Sequence, residues 1–231
     1  MTIRAILTDI EGTTTPISFV HEVLFPYARA RLDGWCAAHA DEPEVAGALA
    51  EARRLEGQAD LDLPATLALL HRWMDEDRKA GPLKLLQGLI WREGYEAGVL
   101  KGQVYADAAE YLARWHKAGL KLHVYSSGSV AAQKLIFGHS DRGDLTPLFS
   151  GYFDTETGGK LEPASYRRIA EKTGFAPSEI LFLSDHAGEI AAARDAGLAV
   201  VQIDRALASD AVLEDPEGTM VAGSFTVVPL D

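Results

Sequence analysis

The chain has 231 residues, 47% hydrophobic and 24% charged, which is typical of a globular protein with one large domain or a core plus an insertion. Its net charge of −12 argues against nucleic acid or an anionic membrane as a partner. The single cysteine, Cys36, excludes an internal disulfide and a cysteine-based zinc site. With no signal-like start and no membrane-length apolar run, we expect a cytoplasmic protein.

A short apolar segment that begins at Ile3 predicts a strand buried in a parallel sheet. Asp9 and Glu11 follow where this strand should end, and they lead into Gly12 and three threonines, a turn suited to holding an anion. Ligands of open α/β sheets bind at the carboxyl ends of strands, and residues two apart face the same way. Both carboxylates could therefore address one reacting centre, although this stretch alone fits a simple polar turn equally well.

Helical periodicity replaces strand periodicity after Pro16. Apolar residues recur at helical spacing from Phe19 to about Ala40, where Pro26 should kink or restart the helix. Further helices are predicted over residues 44–56, 63–79 and 82–100. Because no convincing strand interrupts residues 17–101, the sequence indicates a helical insertion directly after the first strand.

Strands and helices alternate in the second half of the chain. Strands are predicted over residues 120–125, 152–155, 180–183 and 199–203, with a last edge strand over 224–228. Helices are predicted over residues 107–117, 130–137 and 163–173, and another ends at Ala196. This alternation predicts an α/β fold with a doubly wound parallel sheet.

Polar residues follow several of the predicted strands. If the strands that begin at residues 3, 120 and 180 are neighbours, their carboxyl ends meet at one edge. That edge would hold Asp9, Glu11, Ser126, Ser127, Gly128 and Asp185, and Lys160 can be added from a Gly-Gly turn.

This set of residue types suits a phosphate and a metal ion. Asp9 and Asp185 carry the oxygen ligands that Mg²⁺ prefers. The serine hydroxyls and the amides of the following helix could donate to phosphoryl oxygens, and Lys160 would offset negative charge. Taken singly, each residue also has a structural interpretation: Ser-Ser-Gly-Ser as a helix cap, Lys160 as a solvated lysine and Asp185 as another cap. Their shared position at one edge favours the functional interpretation.

The order of Asp9, the Ser126-Ser127 pair, Lys160 and Asp185 resembles the four-motif signature of the haloacid dehalogenase-like superfamily of aspartate-nucleophile phosphatases. Longer stretches are similar to the acireductone synthases, the enolase-phosphatases of methionine salvage. These stretches are DIEGTTTPISFVHEVLFPY, RKAGPLKLLQGLIW, VYSSGS, FDTETGGKLEPASY and FLSDHAGEIAAARDAG. Glu11 is the most specific mark, because most of these phosphatases carry aspartate at that position.

The resemblance implies a Rossmann-like catalytic core formed by residues 1–17 and 102–231, a helical cap formed by residues 18–101, and a monomer. It also implies a small-molecule phosphate ester as substrate, 2,3-diketo-5-methylthiopentyl-1-phosphate, and Mg²⁺ as cofactor. The implied catalytic residues are Asp9, Glu11 and Lys160, the implied substrate-binding residues are Ser126, Ser127, Gly128 and Lys160, and the implied metal ligands are Asp9, Glu11 and Asp185.

Two other interpretations stay open on the sequence. One is a phosphatase of another small phosphomonoester without enolase activity, against which Glu11 and the insertion argue. The other is a receiver-like domain that is phosphorylated on Asp9 and signals without turnover, but a receiver would be far shorter and would lack the insertion.

Overall fold

A seven-stranded sheet is built around β1 (Ala5–Thr8) within residues 2–230, the part of the chain that this computed structural model describes. The remaining strands are β2 (Lys121–Tyr125), β3 (Phe149–Phe153), β4 (Ile180–Ser184), β5 (Ala199–Ile203), β6 (Val212–Glu214) and β7 (Met220–Ala222). The strand order is β3-β2-β1-β4-β5-β7-β6, and all neighbours are parallel except β6 and β7. The predicted α/β class with a parallel sheet is confirmed.

The chain divides into two compact units, Met1–Phe19 with Lys101–Asp231, and Val20–Leu100. The α-helices, in chain order, are α1 (Phe25–His39), α2 (Pro43–Leu55), α3 (Leu63–Asp75), α4 (Gly81–Glu96), α5 (Ala106–Lys117), α6 (Val130–Gly138), α7 (Pro163–Thr173) and α8 (Ala187–Asp195). The first four belong to the Val20–Leu100 unit, the helical unit, and the last four belong with the sheet to the other, the sheet unit. Among the residues placed in the structure, no helix is both long and apolar enough to cross a membrane.

The central strands are covered on both faces, because alternate residues of one strand are buried in different places. Ala5 and Leu7 share a cluster with Phe182 of β4, Ile169 of α7 and Ile190 of α8. The residues between and after them on β1 face the other way and are also fully buried. A strand enclosed on both sides needs a near-continuous apolar run, which is what the sequence shows.

In the helical unit, the restart predicted at Pro26 is confirmed. A π-helical turn over Phe19–Leu24 precedes α1, and Pro26 lies in the first turn of α1, where the chain passes from one helical form to the other. Trp73 of α3 is fully buried in the core of this unit, and Trp91 of α4 donates from Nε1 to the Leu24 carbonyl at 2.8 Å.

The strand predicted over residues 224–228 is wrong, because Phe225–Val227 is a turn of 3₁₀ helix. Its backbone N–H groups are taken by side chains: the Phe225 N–H donates to Asp107 at 2.8 Å and the Thr226 N–H donates to Ser224 Oγ at 3.2 Å. The apolar character reflects burial of the Phe225 ring, which stacks on Trp115. The sheet edge is instead formed by β6 and β7, two short strands that the sequence did not predict.

Candidate active site

The carboxyl ends of β1, β2 and β4 lie side by side, since β1 pairs with β2 on one side and with β4 on the other. Thr8 lies opposite Val124 of β2 and Leu183 of β4. The next residue, Asp9, continues this pairing, because its N–H donates to the Leu183 carbonyl at 2.9 Å. Ser126 and Asp185 follow two residues after these partners, so the structure brings them to the same edge as Asp9, as the sequence predicts.

The turn after Asp9 is held by its own backbone. The N–H groups of Thr13, Thr14 and Thr15 all donate to the Ile10 carbonyl, at 3.2, 3.0 and 2.8 Å. These donors are therefore not available to an anion, and the expectation that this turn cradles one is wrong for them.

Gly12 brings the same turn close to Asp185. Gly12 has a φ of +70°, a region that favours glycine. A Cβ atom at this position would lie 2.0 Å from Asp185 Oδ2, so only glycine fits without moving the carboxylate. The Asp185 backbone is fixed from the same turn, because its N–H donates to Thr13 Oγ1 at 3.0 Å.

Lys160 is a buried partner of two carboxylates. Its Nζ lies 2.5 Å from Asp9 Oδ1 and 2.7 Å from Glu189 Oε2, and its side chain is 8% exposed. Two tyrosine hydroxyls hold its loop in place: Tyr166 donates to the Lys160 carbonyl at 2.7 Å, and Tyr125 donates to a carbonyl two residues earlier at 2.8 Å. The interpretation of Lys160 as a solvated lysine is wrong.

Charges in this cluster oppose one another. Burial lowers the pKa of Lys160, but the charges of Asp9 and Glu189 and their hydrogen bonds outweigh it, so the pKa is raised and Lys160 stays an ammonium ion. Burial and the charge of Asp9 raise the pKa of Glu189 despite its bonds to Lys160 and Ser184. The same two causes raise the pKa of Asp185 to about 6. The cluster is thus short of positive charge.

The three serines of the Ser-Ser-Gly-Ser segment, residues 126–129, differ in their contacts and in their exposure. Ser129 caps α6, because its Oγ accepts from the Ala132 N–H at 3.3 Å, so the capping interpretation applies to this serine. Ser126 is buried and its Oγ accepts from the Gly128 N–H at 3.2 Å, which leaves the hydroxyl proton for another acceptor. Ser127 is exposed.

The first turn of α8 positions Glu189, a residue that our sequence-based set of site residues omits. His186 caps this helix, because its Nδ1 accepts from the N–H groups of Gly188 and Glu189 at 3.1 and 3.3 Å. Ser184 Oγ donates to Glu189 Oε2 at 2.8 Å. The available signal was the place of Glu189 in the FLSDHAGEIAAARDAG stretch, in the first turn of the helix that follows Asp185.

Comparisons with known proteins agree with this geometry. A family model described as haloacid dehalogenase-like hydrolase matches residues 3–197. Enolase-phosphatase E1 of Parvibaculum lavamentivorans is 64% identical over 226 residues, which are 98% of this chain and 94% of that protein. Enolase-phosphatase E1 of Pseudomonas aeruginosa is 58% identical over 205 residues, which are 89% and 91% of the two chains. This chain belongs to the enolase-phosphatase E1 family of haloacid dehalogenase-like hydrolases.

A solved structure extends the likeness to the whole fold. The crystal structure of the UTR4 protein from Saccharomyces cerevisiae has a TM-score of 0.81 to this chain at 34% identity and covers 98% of this chain and 100% of its own. Membership of the enolase-phosphatase E1 family makes the protein a hydrolase of the phosphatase type. The receiver-like interpretation does not fit this result.

The carboxylates of this enolase-phosphatase family member can be tested for their fit to a metal ion. No group of three or more His, Cys, Asp or Glu side chains within residues 2–230 is placed to hold one. Asp9 and Asp185 nevertheless follow the neighbouring strands β1 and β4 at one edge of the sheet, where the Asp9 N–H donates to the carbonyl of Leu183, two residues before Asp185. Mg²⁺ is commonly bound by one or two carboxylates with water and phosphate oxygens, so this pair fits Mg²⁺.

Proposed function

We propose that this protein converts 2,3-diketo-5-methylthiopentyl-1-phosphate to the acireductone 1,2-dihydroxy-3-keto-5-methylthiopentene and phosphate, as a Mg²⁺-dependent enzyme of methionine salvage in the cytoplasm. The observation that carries the proposal is the Asp9 carboxylate at a strand end, 2.5 Å from the buried Lys160 ammonium. The residue two positions after Asp9 is glutamate, which supports enolase chemistry beside phosphatase chemistry.

In the phosphatase half, Asp9 is the nucleophile. Its oxygen forms a bond to phosphorus while the bond from phosphorus to the substrate oxygen breaks, which gives an aspartyl-phosphate and divides one difficult displacement into two. Glu11 gives a proton to the departing oxygen and then takes one from the water that hydrolyses the aspartyl-phosphate.

The phosphoryl oxygens need donors and positive charge during this transfer. Lys160 already lies against Asp9 and supplies a fixed ammonium group, while the Ser126 hydroxyl and Ser127 supply hydrogen bonds. Gly128 contributes through its own N–H, which donates to Ser126 Oγ and orients that hydroxyl. Asp9 and Asp185, with the backbone oxygen or the carboxylate of Glu11, would hold Mg²⁺. When bound, Mg²⁺ offsets the negative charge that the raised pKa values of Asp185 and Glu189 reveal in this cluster.

In the enolase half, a proton must leave the carbon that bears the phosphate ester, next to a carbonyl group. We assign the removal of this proton to the carboxylate of Glu11, whose extra methylene relative to aspartate extends its reach. A Glu11→Gln protein should lose enolisation, and normal enolisation by it would refute the assignment. Glu11→Asp is the matched control, since it keeps a carboxylate for phosphatase chemistry and shortens only the reach.

The deciding experiment is turnover of the diketone phosphate followed by absorbance and by phosphate release, with Mg²⁺ and with chelator. We expect both signals with Mg²⁺ and neither phosphate release nor product with chelator. Phosphate release from a generic aryl phosphate without conversion of the diketone would instead support a phosphatase of another phosphomonoester. We extend the proposal to a division into a catalytic core of residues 1–17 and 102–231 and a helical cap of residues 18–101, and to a monomeric enzyme.

A further inference from the structure

An arginine outside the predicted site contacts the catalytic turn. Arg205 follows β5, and its Nε and Nη2 both donate to the Thr13 carbonyl, at 3.1 and 2.5 Å. Its Nη1 donates to Asp107 in the first turn of α5 at 2.7 Å. The guanidinium group lies over the rings of Tyr105 and Phe225, 4.2 and 5.3 Å from their centroids, and the side chain is largely buried.

Thr13 links Arg205 to Asp185 through two different atoms. The carbonyl of Thr13 is held by Arg205, and its Oγ1 accepts the Asp185 N–H at 3.0 Å. The neighbouring residue, Gly12, lies so close to Asp185 that a Cβ atom would clash with Oδ2 at 2.0 Å. A shift of the turn would therefore move Asp185 relative to Asp9.

The arrangement does not suit an arginine that only stabilises the fold. A buried ion pair such as Arg205 with Asp107 adds little net stability, because desolvation offsets the attraction. Two bonds to one carbonyl and a third to a carboxylate require the planar guanidinium group, which lysine lacks. What Arg205 adds is a fixed position for the Thr13 peptide.

We propose that Arg205 is a positioning residue of the active site, which acts through Thr13 to set the placement of Asp185 beside Asp9. Its effect on turnover rests on the proposed function, whereas its effect on the turn does not. Arg194 offers a comparison in the same unit, since it donates to Thr219 Oγ1 at 2.7 Å and pairs with Glu217, and neither of these partners belongs to the turn.

The test compares Arg205→Met with Arg194→Met in the full chain. Amide hydrogen exchange should become about tenfold faster at the Asp185 N–H and over residues 10–15 in Arg205→Met only. Mg²⁺ titrated calorimetrically into metal-free protein should bind about tenfold more weakly to Arg205→Met, the range seen when outer-shell partners of metal ligands are removed. The value of kcat should fall by a similar factor, with KM within about twofold, because Ser126 and Lys160 bind the phosphoryl group.

Arg205→Lys is the second variant if Arg205→Met does not fold, and it should show the same defects to a smaller extent because it keeps the charge beside Asp107. Unchanged exchange at Asp185 in a folded Arg205 variant would overturn the inference, as would an equal change in Arg194→Met. If the unsubstituted protein does not convert the diketone phosphate, the proposed function fails, and the exchange comparison still decides the role of Arg205.

Discussion

Two clusters of this molecule combine carboxylates with basic side chains. The pKa of a carboxylate is lowered in one cluster and raised in the other. In the helical unit, the Glu56 carboxylate accepts from Arg78 Nη1 at 3.0 Å and Trp73 Nε1 at 3.2 Å, and it also pairs with Arg72. Partial burial raises the pKa of Glu56, but these hydrogen bonds and the two cations outweigh it, so the pKa is lowered. In the sheet unit, one buried lysine serves both Asp9 and Glu189, and the pKa of Glu189 is raised.

The difference lies in how much water and how much positive charge each carboxylate has. Both arginines around Glu56 are more than one third exposed, and two cations serve this one carboxylate, although Arg72 also pairs with Glu76 at 3.8 Å. Around Lys160 the carboxylates outnumber the ammonium group, and all three side chains are at most 11% exposed. An excess of buried negative charge is unfavourable for folding alone, so we interpret it as strain that the rest of the fold supports for the sake of chemistry.

The largest expected effect comes from Asp9→Asn, which removes the nucleophile and one charge of the buried cluster. Phosphate release should fall by about 10³-fold or more, the scale seen when a catalytic nucleophile is lost. Because Glu11 is intact, the diketone should still be consumed and the enol phosphate should accumulate, which absorbance and ³¹P NMR would follow. A variant that consumes no substrate at all would contradict the division of roles between these two residues.

Lys160→Met should combine loss of activity with loss of stability. Removal of one partner from a buried ion pair costs about 3–5 kcal/mol, because the remaining charges stay buried without compensation. Here Asp9 and Glu189 would face each other, so urea unfolding should show this loss and kcat should fall about 10²-fold. The double variant Lys160→Met with Glu189→Gln should recover part of the stability. A loss below about 1 kcal/mol would mean that Lys160 stabilises the fold no more than an exposed surface ion pair does, which would contradict this prediction.

The contribution of Asp185 to stability and to Mg²⁺ affinity should depend on pH. Its pKa is raised from 3.8 to about 6, so the folded protein without metal binds this proton more tightly than the unfolded chain between about pH 4 and 6. The contribution of Asp185 to stability should therefore fall as pH rises through that window. Mg²⁺ must displace the same proton, so calorimetry should show its affinity falling by up to about tenfold per pH unit below about pH 6. A flat profile from pH 5 to 7 would contradict this.

Sequence patterns correctly predicted the elements that have a continuous apolar run or clear residues at their start and end. The strand β4 is a fully buried, mostly apolar run, and α7 begins at Pro163 and ends before Gly174, which has a left-handed conformation. The edge hairpin was not predicted, since its strands are three residues long and Val212 and Leu213 are exposed. The mistaken strand over residues 224–228 shows that an apolar run records burial and not backbone conformation.

The candidate site was predicted to the extent that it depends on strand ends. Asp9, Ser126 and Asp185 meet because their strands are neighbours, and this follows from topology. The bond of Glu189 to Lys160 and the contact of Arg205 with Thr13 depend on side-chain directions in three dimensions, which no spacing along the chain specifies. The three threonines after Gly12 were misread for the same reason, because their N–H groups turn inward to the Ile10 carbonyl.

The smallest expected effect is that of Glu56→Gln, which neutralises a carboxylate in the more exposed cluster as Asp9→Asn does in the buried one. Glutamine keeps one carbonyl oxygen for Trp73 and Arg78 and loses the charge and the acceptor for Arg72, whose half-exposed side chain can turn to water, so the thermal unfolding midpoint should fall by no more than about 2 °C. The difference should shrink further at 0.5 M salt, because exposed charges are screened. Circular dichroism melts at two salt concentrations would measure it. A shift as large as that of Lys160→Met would mean that burial is not what separates the two clusters.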